Sequence, residues 1–159
     1  MTATDALPEL GLPAPDFTAP STSGDKVTLS SFRSASNVVI AFFPLAFTST
    51  CTAELCDFSA EYDLFSEAGV TILPVSVDSV ATLKEYRAKY QMRTHLLSDF
   101  RRHISRQYGV LDEARFYATR SYFLVDPAGI LRWRHVETVS GEKRSNGEIL
   151  SALSLISDI

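Results

Sequence analysis

Residues 37–56 read NVVIAFFPLAFTSTCTAELC, and this stretch decides the fold. Its first part, 37–43, is continuously apolar with β-branched and aromatic residues, which is typical of a strand buried on both faces. Pro44 ends that strand, because proline has no N–H to donate within a sheet. Residues 48–50 supply N-cap side chains for a helix that we predict to run to Ala68. The stretch therefore predicts a strand, a loop and a helix in succession.

Outward from this unit, strand and helix patterns alternate along the chain. We predict strands over 70–78 and 95–99, helices over 80–91, 100–110 and 145–156, and hairpins over 16–32 and 120–137. Alternating strands and helices are typical of an α/β fold, and the late hairpin adds an antiparallel pair. We therefore predict a central mixed β-sheet flanked by helices, with an N-terminal β-hairpin. The 159 residues are expected to form one domain, 1–159, in which residues 1–7 are a loose lead.

The charge and apolar pattern of the chain exclude several classes of partner. The formal net charge is −4, which gives no electrostatic basis for binding nucleic acid or an anionic membrane. No apolar run reaches the ~18 residues of a membrane span. The opening MTATDALPEL has neither the basic nor the apolar region of a signal peptide. We therefore expect a cytoplasmic protein that binds neither nucleic acid nor membrane.

The chain has two cysteines, and Cys51 falls in the first turn of the predicted helix. Free N–H groups and the positive end of the helix dipole favour a thiolate there, and the thiolate is the nucleophilic form. Cys51 is therefore a candidate reactive cysteine. The alternative is a buried structural cysteine, because Cys51 also lies on an apolar stripe of this helix. We predict no metal site, since neither cysteine has ligand-like spacing to the three histidines, His95, His103 and His135.

The second cysteine, Cys56, follows five residues later. On an ideal helix this spacing puts the two Cα atoms about 8.6 Å apart, beyond the ~7 Å that a disulfide spans. The two thiols can therefore bond only if the first turns of the helix unwind. The alternative is that Cys56 is an inert, half-exposed helix residue. A purely structural disulfide is also disfavoured in a reducing compartment.

The residues from Pro44 to Cys51 resemble the active-site motif of peroxiredoxins: a proline, three residues, a threonine or serine, two residues and a cysteine. The neighbouring VVIAFF and TAEL are similar to the same family, as are VTILPVSVD, HLLSDF, YGV and RSYFLVDPAGILRW. The resemblance extends from about residue 8 to residue 157. It implies a thioredoxin-like fold with an N-terminal hairpin extension. The activity it implies is reduction of H2O2 and organic hydroperoxides by a thiol, without a cofactor.

The resemblance also implies a role for individual side chains. Cys51 matches the peroxidatic cysteine, whose thiolate attacks the peroxide and becomes a sulfenic acid. Thr48 matches the hydroxyl that hydrogen-bonds the peroxide and the thiolate, and Pro44 matches the proline that shields the pocket from water. Arg120 matches the cation that supports the thiolate and polarises the O–O bond. Glu54 matches a glutamate that orients Arg120 or the loop.

Two subfamilies resemble the chain around Cys56. The Cys-x4-Cys spacing is similar to the Q-type, or bacterioferritin-comigratory, peroxiredoxins, which implies that Cys56 resolves the sulfenic acid as an intramolecular disulfide reduced by thioredoxin. The stretch FFPLAFTSTC also resembles the one-Cys alkyl hydroperoxide reductase E type. In that case Cys56 is incidental, and an external thiol or a mycoredoxin acts instead.

The function implied by the resemblance has two competitors. One is a redox-sensing module of the same fold without significant turnover, which would transmit unwinding of the cysteine helix to a partner. The other is a thiol–disulfide oxidoreductase, which is disfavoured because Cys-x4-Cys lacks a preformed dithiol geometry. The expected partners are a hydroperoxide and thioredoxin or a similar thiol reductant. Both a monomer and a homodimer are compatible with the sequence.

Overall fold

The computed structural model describes residues 6–139 and 141–154. Its strands are β1 Thr18–Pro20, β2 Lys26–Thr28, β3 Asn37–Phe42, β4 Val70–Ser76, β5 Leu97–Ser98, β6 Leu111–Asp112, β7 Tyr117–Ala118, β8 Ser121–Val125 and β9 Leu131–Val136. Its α-helices are α1 Ser49–Ala60, α2 Tyr62–Glu67, α3 Val80–Lys89, α4 His103–Gln107 and α5 Asn146–Ser151, and a 3-10 helix spans Leu29–Phe32. The α/β class predicted from the sequence is confirmed.

Five strands form a central mixed sheet in the order β5-β4-β3-β8-β9. β4 runs parallel to β3 and β5, whereas β8 is antiparallel to both β3 and β9. β3 lies in the middle, and from Val38 to Phe42 every side chain is buried. This is why the run reads as continuously apolar instead of alternating. The predicted N-terminal hairpin is β1 paired with β2, and β6 with β7 forms a further small hairpin.

Pro74 lies inside β4, where a proline argues against a central strand. The N–H of Asn37 bonds to the carbonyl of Gly69, and the N–H of Phe43 bonds to that of Val75. The backbone N–H and C=O groups of odd-numbered β4 residues therefore point toward β3. The backbone groups of Pro74 point toward the opposite edge of β4. β5 pairs with β4 only from Val75 onward, so no ladder bond needs an N–H from Pro74.

The sheet separates two hydrophobic clusters, and β8 contributes to both by alternation. Phe123 and Val125 join the cluster that contains α4 residues and the N-terminal segment. Tyr122 and Leu124 join the cluster on the opposite face, which contains side chains from α1, α2, α3 and α5. Cys51 belongs to this second cluster. The helix α1, which carries Cys51, therefore packs on the face of the sheet to which Tyr122 and Leu124 point.

The prediction of a single helix over 48–68 was wrong in one respect: the structure has two helices there, α1 and α2, which meet at Glu61. Asn146 lies against this break: its side-chain N–H bonds to the carbonyl of Asp57 at 3.0 Å and to the Glu61 carboxylate at 2.8 Å. The Asp57 carbonyl also accepts the N–H of Glu61 at 3.2 Å. Residues 1–5 of the predicted loose lead and residues 155–156 of the predicted closing helix lie outside the described part of the chain.

Candidate active site

Cys51 lies in the first turn of α1, as the sequence predicts. Thr48 is the N-cap with extended backbone, but no side chain caps the helix. The first intrahelical bond runs from the N–H of Thr52 to the carbonyl of Thr48 at 2.9 Å, so the N–H groups of the first three helical residues remain available. Cys51 is only 1% exposed, yet it lines a cavity of about 230 Å³ that opens to the surface.

Arg120 contacts the sulfur across a sequence separation of 69 residues. Its Nη2 donates to Cys51 Sγ at 3.2 Å, and its Nη1 donates to Glu54 Oε1 at 2.9 Å. The Arg120 side chain is 2% exposed, so this cation acts where water screens it little. Its Nε is buried and has no hydrogen-bond partner among the described residues. The guanidinium therefore has a donor left over for a further group.

Glu54 connects this arginine to the sheet. The carboxylate is 1% exposed, lies one helical turn after Cys51, and accepts hydrogen bonds from Arg120 and from the hydroxyl of Tyr122. Burial raises the pKa of Glu54 above its usual value, while the charge of Arg120 and both hydrogen bonds act in the opposite direction. The Tyr122 oxygen also accepts the backbone N–H of Arg144 at 3.0 Å. A continuous chain of hydrogen bonds, buried from Tyr122 onward, thus leads from Arg144 to the cysteine.

The loop between β3 and α1 is held by groups outside itself. Asp78 accepts the backbone N–H of Ala46 at 2.8 Å and the hydroxyl of Ser76, also at 2.8 Å. The Thr48 hydroxyl donates to the carbonyl of Leu45 at 2.8 Å, so its oxygen lone pairs stay free to accept. Half-buried Pro44 lines the cavity together with Cys51 and Arg120.

The first turn of α1 is anchored to α3 through Tyr86. The Tyr86 hydroxyl shares a 2.9 Å hydrogen bond with Thr52 Oγ1, and the Phe47 ring lies 4.7 Å from the Tyr86 ring. Burial raises the pKa of Tyr86 to about 12, so its hydroxyl keeps its proton at neutral pH. Phe47 has φ +66°, a strained conformation for an aromatic residue. The cysteine loop is therefore preorganised by tertiary contacts.

Cys56 is half-buried and, like Cys51, is a free thiol. α1 is continuous from Ser49 to Ala60, so both cysteines lie on one intact helix. Burial, with a smaller effect from the charge of Asp57, raises the pKa of the Cys56 thiol. In this conformation Cys56 is a protonated thiol at neutral pH, and the protonated form is less nucleophilic than the thiolate.

The structure brings together all but one of the side chains singled out from the sequence: Pro44, Thr48, Cys51, Glu54 and Arg120 meet at one end of α1. Cys56 stays apart from them along the helix. Sequence reasoning missed Tyr122, Asp78 and Tyr86. Strand alternation could have found one of them, because Arg120 and Tyr122 are two residues apart and therefore point to the same face of the sheet. Arg115 lies exposed in the turn between β6 and β7, outside any strand.

Two of the histidines form side-chain hydrogen bonds away from Cys51. His95 Nδ1 bonds to Thr22 Oγ1 at 2.9 Å, and His135 Nε2 bonds to Glu137 at 3.1 Å. Within residues 6–139 and 141–154, no group of three His, Cys, Asp or Glu side chains is arranged to hold a metal ion. In the same described ranges, no helix combines the length and apolarity needed to cross a bilayer.

Comparison with known proteins finds relatives that all belong to one family. The model of the AhpC/TSA family matches residues 10–134. The alkyl hydroperoxide reductase E of Mycobacterium tuberculosis is 36% identical over 149 residues, which cover 92% of this chain and 97% of that protein. The Bcp peroxiredoxin of Coxiella burnetii is 35% identical over 129 residues, covering 77% of this chain and 85% of its own.

Solved structures agree with the sequence relatives. The reduced 2-Cys peroxiredoxin of Plasmodium vivax superimposes with a TM-score of 0.86 at 31% identity, covering 94% of this chain and 82% of that chain. The thioredoxin-like fold predicted from the sequence is thereby confirmed, and a peroxidase of this family uses a hydroperoxide and a thiol reductant. The chain belongs to the AhpC/TSA family and is a thiol-dependent peroxidase of the peroxiredoxin type.

Proposed function

We propose that Cys51 is the peroxidatic cysteine of this enzyme and that the side chains around it form the peroxide site. The observation that carries the proposal is the buried Arg120 guanidinium, which donates to Cys51 Sγ at 3.2 Å beneath an open cavity. A cation and free helix N–H groups beside a thiol favour the thiolate. The cavity of about 230 Å³ has room for H2O2 or for the peroxide end of an organic hydroperoxide.

In the first step the Cys51 thiolate attacks the distal peroxide oxygen. A sulfur–oxygen bond forms and the O–O bond breaks, so the sulfur is oxidised to a sulfenic acid and the peroxide is reduced. The leaving oxygen takes a proton and departs as an alcohol, or as water when H2O2 is the substrate. The free N–H groups of the first turn of α1 and the unpartnered Nε of Arg120 are the donors that stabilise the developing negative charge.

Thr48 and Pro44 orient and shield the peroxide. Because the Thr48 hydroxyl donates to the Leu45 carbonyl, its oxygen can accept the O–H of an incoming hydroperoxide. Pro44 covers the cavity with a ring that offers no N–H to water. Glu54 is a positioning residue: its ion pair with Arg120 at 2.9 Å fixes the plane of the guanidinium against the sulfur.

Cys56 is proposed as the resolving cysteine. Its thiolate would attack the sulfenic sulfur, forming the S–S bond while the S–O bond breaks and water leaves. The disulfide would then be reduced by the dithiol of thioredoxin. This route requires α1 to unwind between Cys51 and Cys56, because the intact helix keeps them beyond disulfide reach.

A one-cysteine cycle is the second candidate, and a specific observation favours it. Cys56 lies half-buried on a continuous helix with a raised thiol pKa, and the chain is similar over 92% of its length to an alkyl hydroperoxide reductase E. In that cycle an external low-molecular-weight thiol or a mycoredoxin reduces the Cys51 sulfenic acid directly.

One experiment tests both cycles. The reduced protein is treated with one equivalent of H2O2, and its intact mass and non-reduced peptides are measured. Loss of two hydrogen atoms with linked Cys51 and Cys56 peptides supports the resolving role. Gain of one oxygen atom on Cys51, with Cys56 still free, selects the one-cysteine cycle. A Cys51→Ser variant that keeps full peroxidase turnover would overturn the whole assignment.

The remaining parts of the proposal concern the molecule in the cell. We propose that residues 1–159 act as a single domain in the cytoplasm, where thioredoxin-type reductants operate, as a monomer or a homodimer. The two free thiols are compatible with a reducing compartment. Sedimentation of the reduced and peroxide-treated protein distinguishes the two oligomeric states.

A further inference from the structure

A second cavity, of about 230 Å³, lies at the free edge of β4. We call it the edge cavity. Residues 70–73 of β4 form one wall, Phe58 and Phe65 form a second, and Val27 and Phe32 form a third. It shares no lining residue with the cavity that Cys51 and Arg120 line. A ligand here would therefore occupy a site separate from the peroxide site.

The strand edge that opens into this cavity is not suited to a docking peptide strand. Ile72 faces away from β3, and β5 pairs with β4 only at Val75 and Ser76, so Ile72 offers its N–H and C=O to the cavity. Pro74, the next outward-facing residue, has no N–H to donate, and prolines at sheet edges block strand addition. The edge therefore offers isolated hydrogen-bonding groups, which fit a small molecule better than a peptide.

Thr94 supplies a buried polar group without a partner. The residue is 4% exposed, lines the cavity, and its Oγ1 has no hydrogen bond among the described residues. The backbone around it is nevertheless firmly held: Arg93 N–H bonds to Ser59 Oγ at 2.7 Å, and Arg87 Nε bonds to the Thr94 carbonyl at 3.1 Å. Buried hydroxyls are nearly always paired, so a ligand that reaches Thr94 Oγ1 would supply the partner that it lacks.

The charges around the edge cavity favour an anion over a cation. None of its lining residues is acidic, and Arg93 stands next to Thr94 with its guanidinium 4.5 Å from the centre of the Tyr62 ring. Arg93 also pairs with Asp63 at 3.0 Å, but both side chains are more than half exposed, and such pairs contribute little. Exchange of Asp63 for the carboxylate of a ligand at this guanidinium therefore costs little.

We propose that the edge cavity binds a small monocarboxylic acid with an apolar body of about eight carbon atoms, since a dry cavity of about 150 Å³ already accepts benzene. The carboxylate contacts the Arg93 guanidinium and the Thr94 hydroxyl. The apolar body packs on Phe58, Phe65 and the β4 edge. This site does not depend on the chemistry of Cys51.

Octanoate is the probe that tests the proposal, with uncharged 1-octanol as its matched control. Amide chemical shifts of the full-length, reduced protein are followed during titration with each compound. We expect saturable shifts at the amides of Ile72, Phe65 and Thr94, and tighter binding of octanoate than of 1-octanol. Shifts centred on Cys51 and Arg120, or no saturation by about 10 mM, which is ten times a dissociation constant of about 1 mM, would overturn the proposal.

Two variants assign the contacts. Arg93→Gln should raise the dissociation constant of octanoate about fivefold or more, as expected for loss of a charge-assisted bond, without changing that of 1-octanol. Thr94→Val keeps the side-chain shape and should raise the dissociation constant of octanoate about threefold. Exposed Arg101→Gln is the control and should change neither constant. Equal octanoate binding by the Arg93 and Arg101 variants contradicts the proposal, and a dispersed amide spectrum verifies that each variant is folded.

Discussion

At the scale of single residues, the reactivity of this protein depends on a few buried hydrogen bonds. Arg120 divides its donors between Cys51 and Glu54, while Tyr122 holds the second oxygen of Glu54. Each partner is almost fully removed from water. In such surroundings the loss of one partner leaves a buried group unsatisfied, which costs more than the mean value of a hydrogen bond.

The first residue-scale prediction concerns the two hydrogen bonds that the planar guanidinium of Arg120 donates, one to Cys51 and one to Glu54. Arg120→Lys keeps the positive charge but cannot donate to Cys51 and Glu54 together, because an ammonium group lacks the planar fork. We expect kcat/KM for H2O2 to fall about 10- to 100-fold, the equivalent of one lost charge-assisted bond. Stopped-flow oxidation measures this rate, with exposed Arg101→Lys as the control. Equal rates for the two variants contradict the role of Arg120.

The second residue-scale prediction concerns Tyr122. Tyr122→Phe removes the donor to Glu54 and leaves the backbone N–H of Arg144 without its acceptor. We expect the free energy of unfolding to fall by about 1–3 kcal/mol and peroxide reduction to slow, because Glu54 is then free to turn away from Arg120. Denaturant unfolding and rapid oxidation measure the two effects. An unchanged oxidation rate in a destabilised variant would show that Tyr122 only supports the fold.

The third residue-scale prediction follows from the raised pKa of Cys56, which burial causes. A raised thiol pKa means less thiolate at any given pH, so Cys56 should react more slowly with iodoacetamide in the folded protein than in urea. The Cys51→Ser variant isolates this thiol. The pH of half-maximal alkylation rate should also be higher in the folded state. Coincident pH profiles in the two states would contradict the burial of Cys56.

At the scale of elements, α1 is held differently at its two ends. Its first turn is joined to α3 by the Thr52–Tyr86 hydrogen bond and to β8 by the contacts of Arg120. Its last turn is held by the segment before and at the start of α5, where Lys143 pairs with Asp57 at 2.6 Å and Asn146 bonds to the Asp57 carbonyl. Cys56 lies between these anchors. Unwinding that would bring Cys56 to Cys51 must work against the second set.

The element-scale prediction is that Asn146→Ala loosens the end of α1. The change removes two hydrogen bonds, to the Asp57 carbonyl and to Glu61. Amide exchange at residues 57–61 should accelerate, and the Cys51–Cys56 disulfide should form up to about tenfold faster after H2O2. Ser151→Ala, on the exposed side of α5, is the control. Faster exchange without faster disulfide formation would show that unwinding of this end does not limit resolution.

At the scale of the whole molecule, the central sheet separates two hydrophobic cores, of which only one contains the reactive cysteine. One contains Cys51 and the side chains of the long helices, and the other contains Phe42, Tyr108 and Phe123. Phe123 is fully buried, with its ring 5.0 Å from that of Tyr108 and 5.8 Å from that of Phe42. Strand alternation makes Phe123 point away from the active site while its neighbours point toward it.

This arrangement predicts a separation of stability from activity. Phe123→Leu should lower the free energy of unfolding by about 1–3 kcal/mol and leave the oxidation rate per folded molecule nearly unchanged. Leu124→Ala, on the active-site face, should lower stability by about 2–5 kcal/mol and slow oxidation as well. Chemical unfolding and stopped-flow oxidation of both variants measure the contrast. A loss of oxidation rate in Phe123→Leu would contradict the independence of the two faces.

The sequence by itself determined the elements around the nucleophile. The apolar run to Phe43 and its stop at Pro44 are set by local chemistry, because proline lacks the N–H that a central strand needs. The helix begins after Thr48 as the sequence indicates, although no side chain caps it. For that reason the strand, the loop, the α/β class and the position of Cys51 at a helix N-terminus were all predictable. The break at Glu61 was not, because no proline or glycine marks it in the sequence and Asn146, which bonds to Glu61, lies 85 residues away.

Only the tertiary structure decided which distant groups complete the site. The pairing of β3 with β8 puts Arg120 against Cys51, the end of β4 puts Asp78 under the loop, and the packing of α3 puts Tyr86 on the first turn. The edge cavity likewise exists because β5 is too short to cover β4. Periodicity reports which face of an element is buried, whereas strand register and helix packing determine what that face meets, and these depend on contacts far apart in the chain.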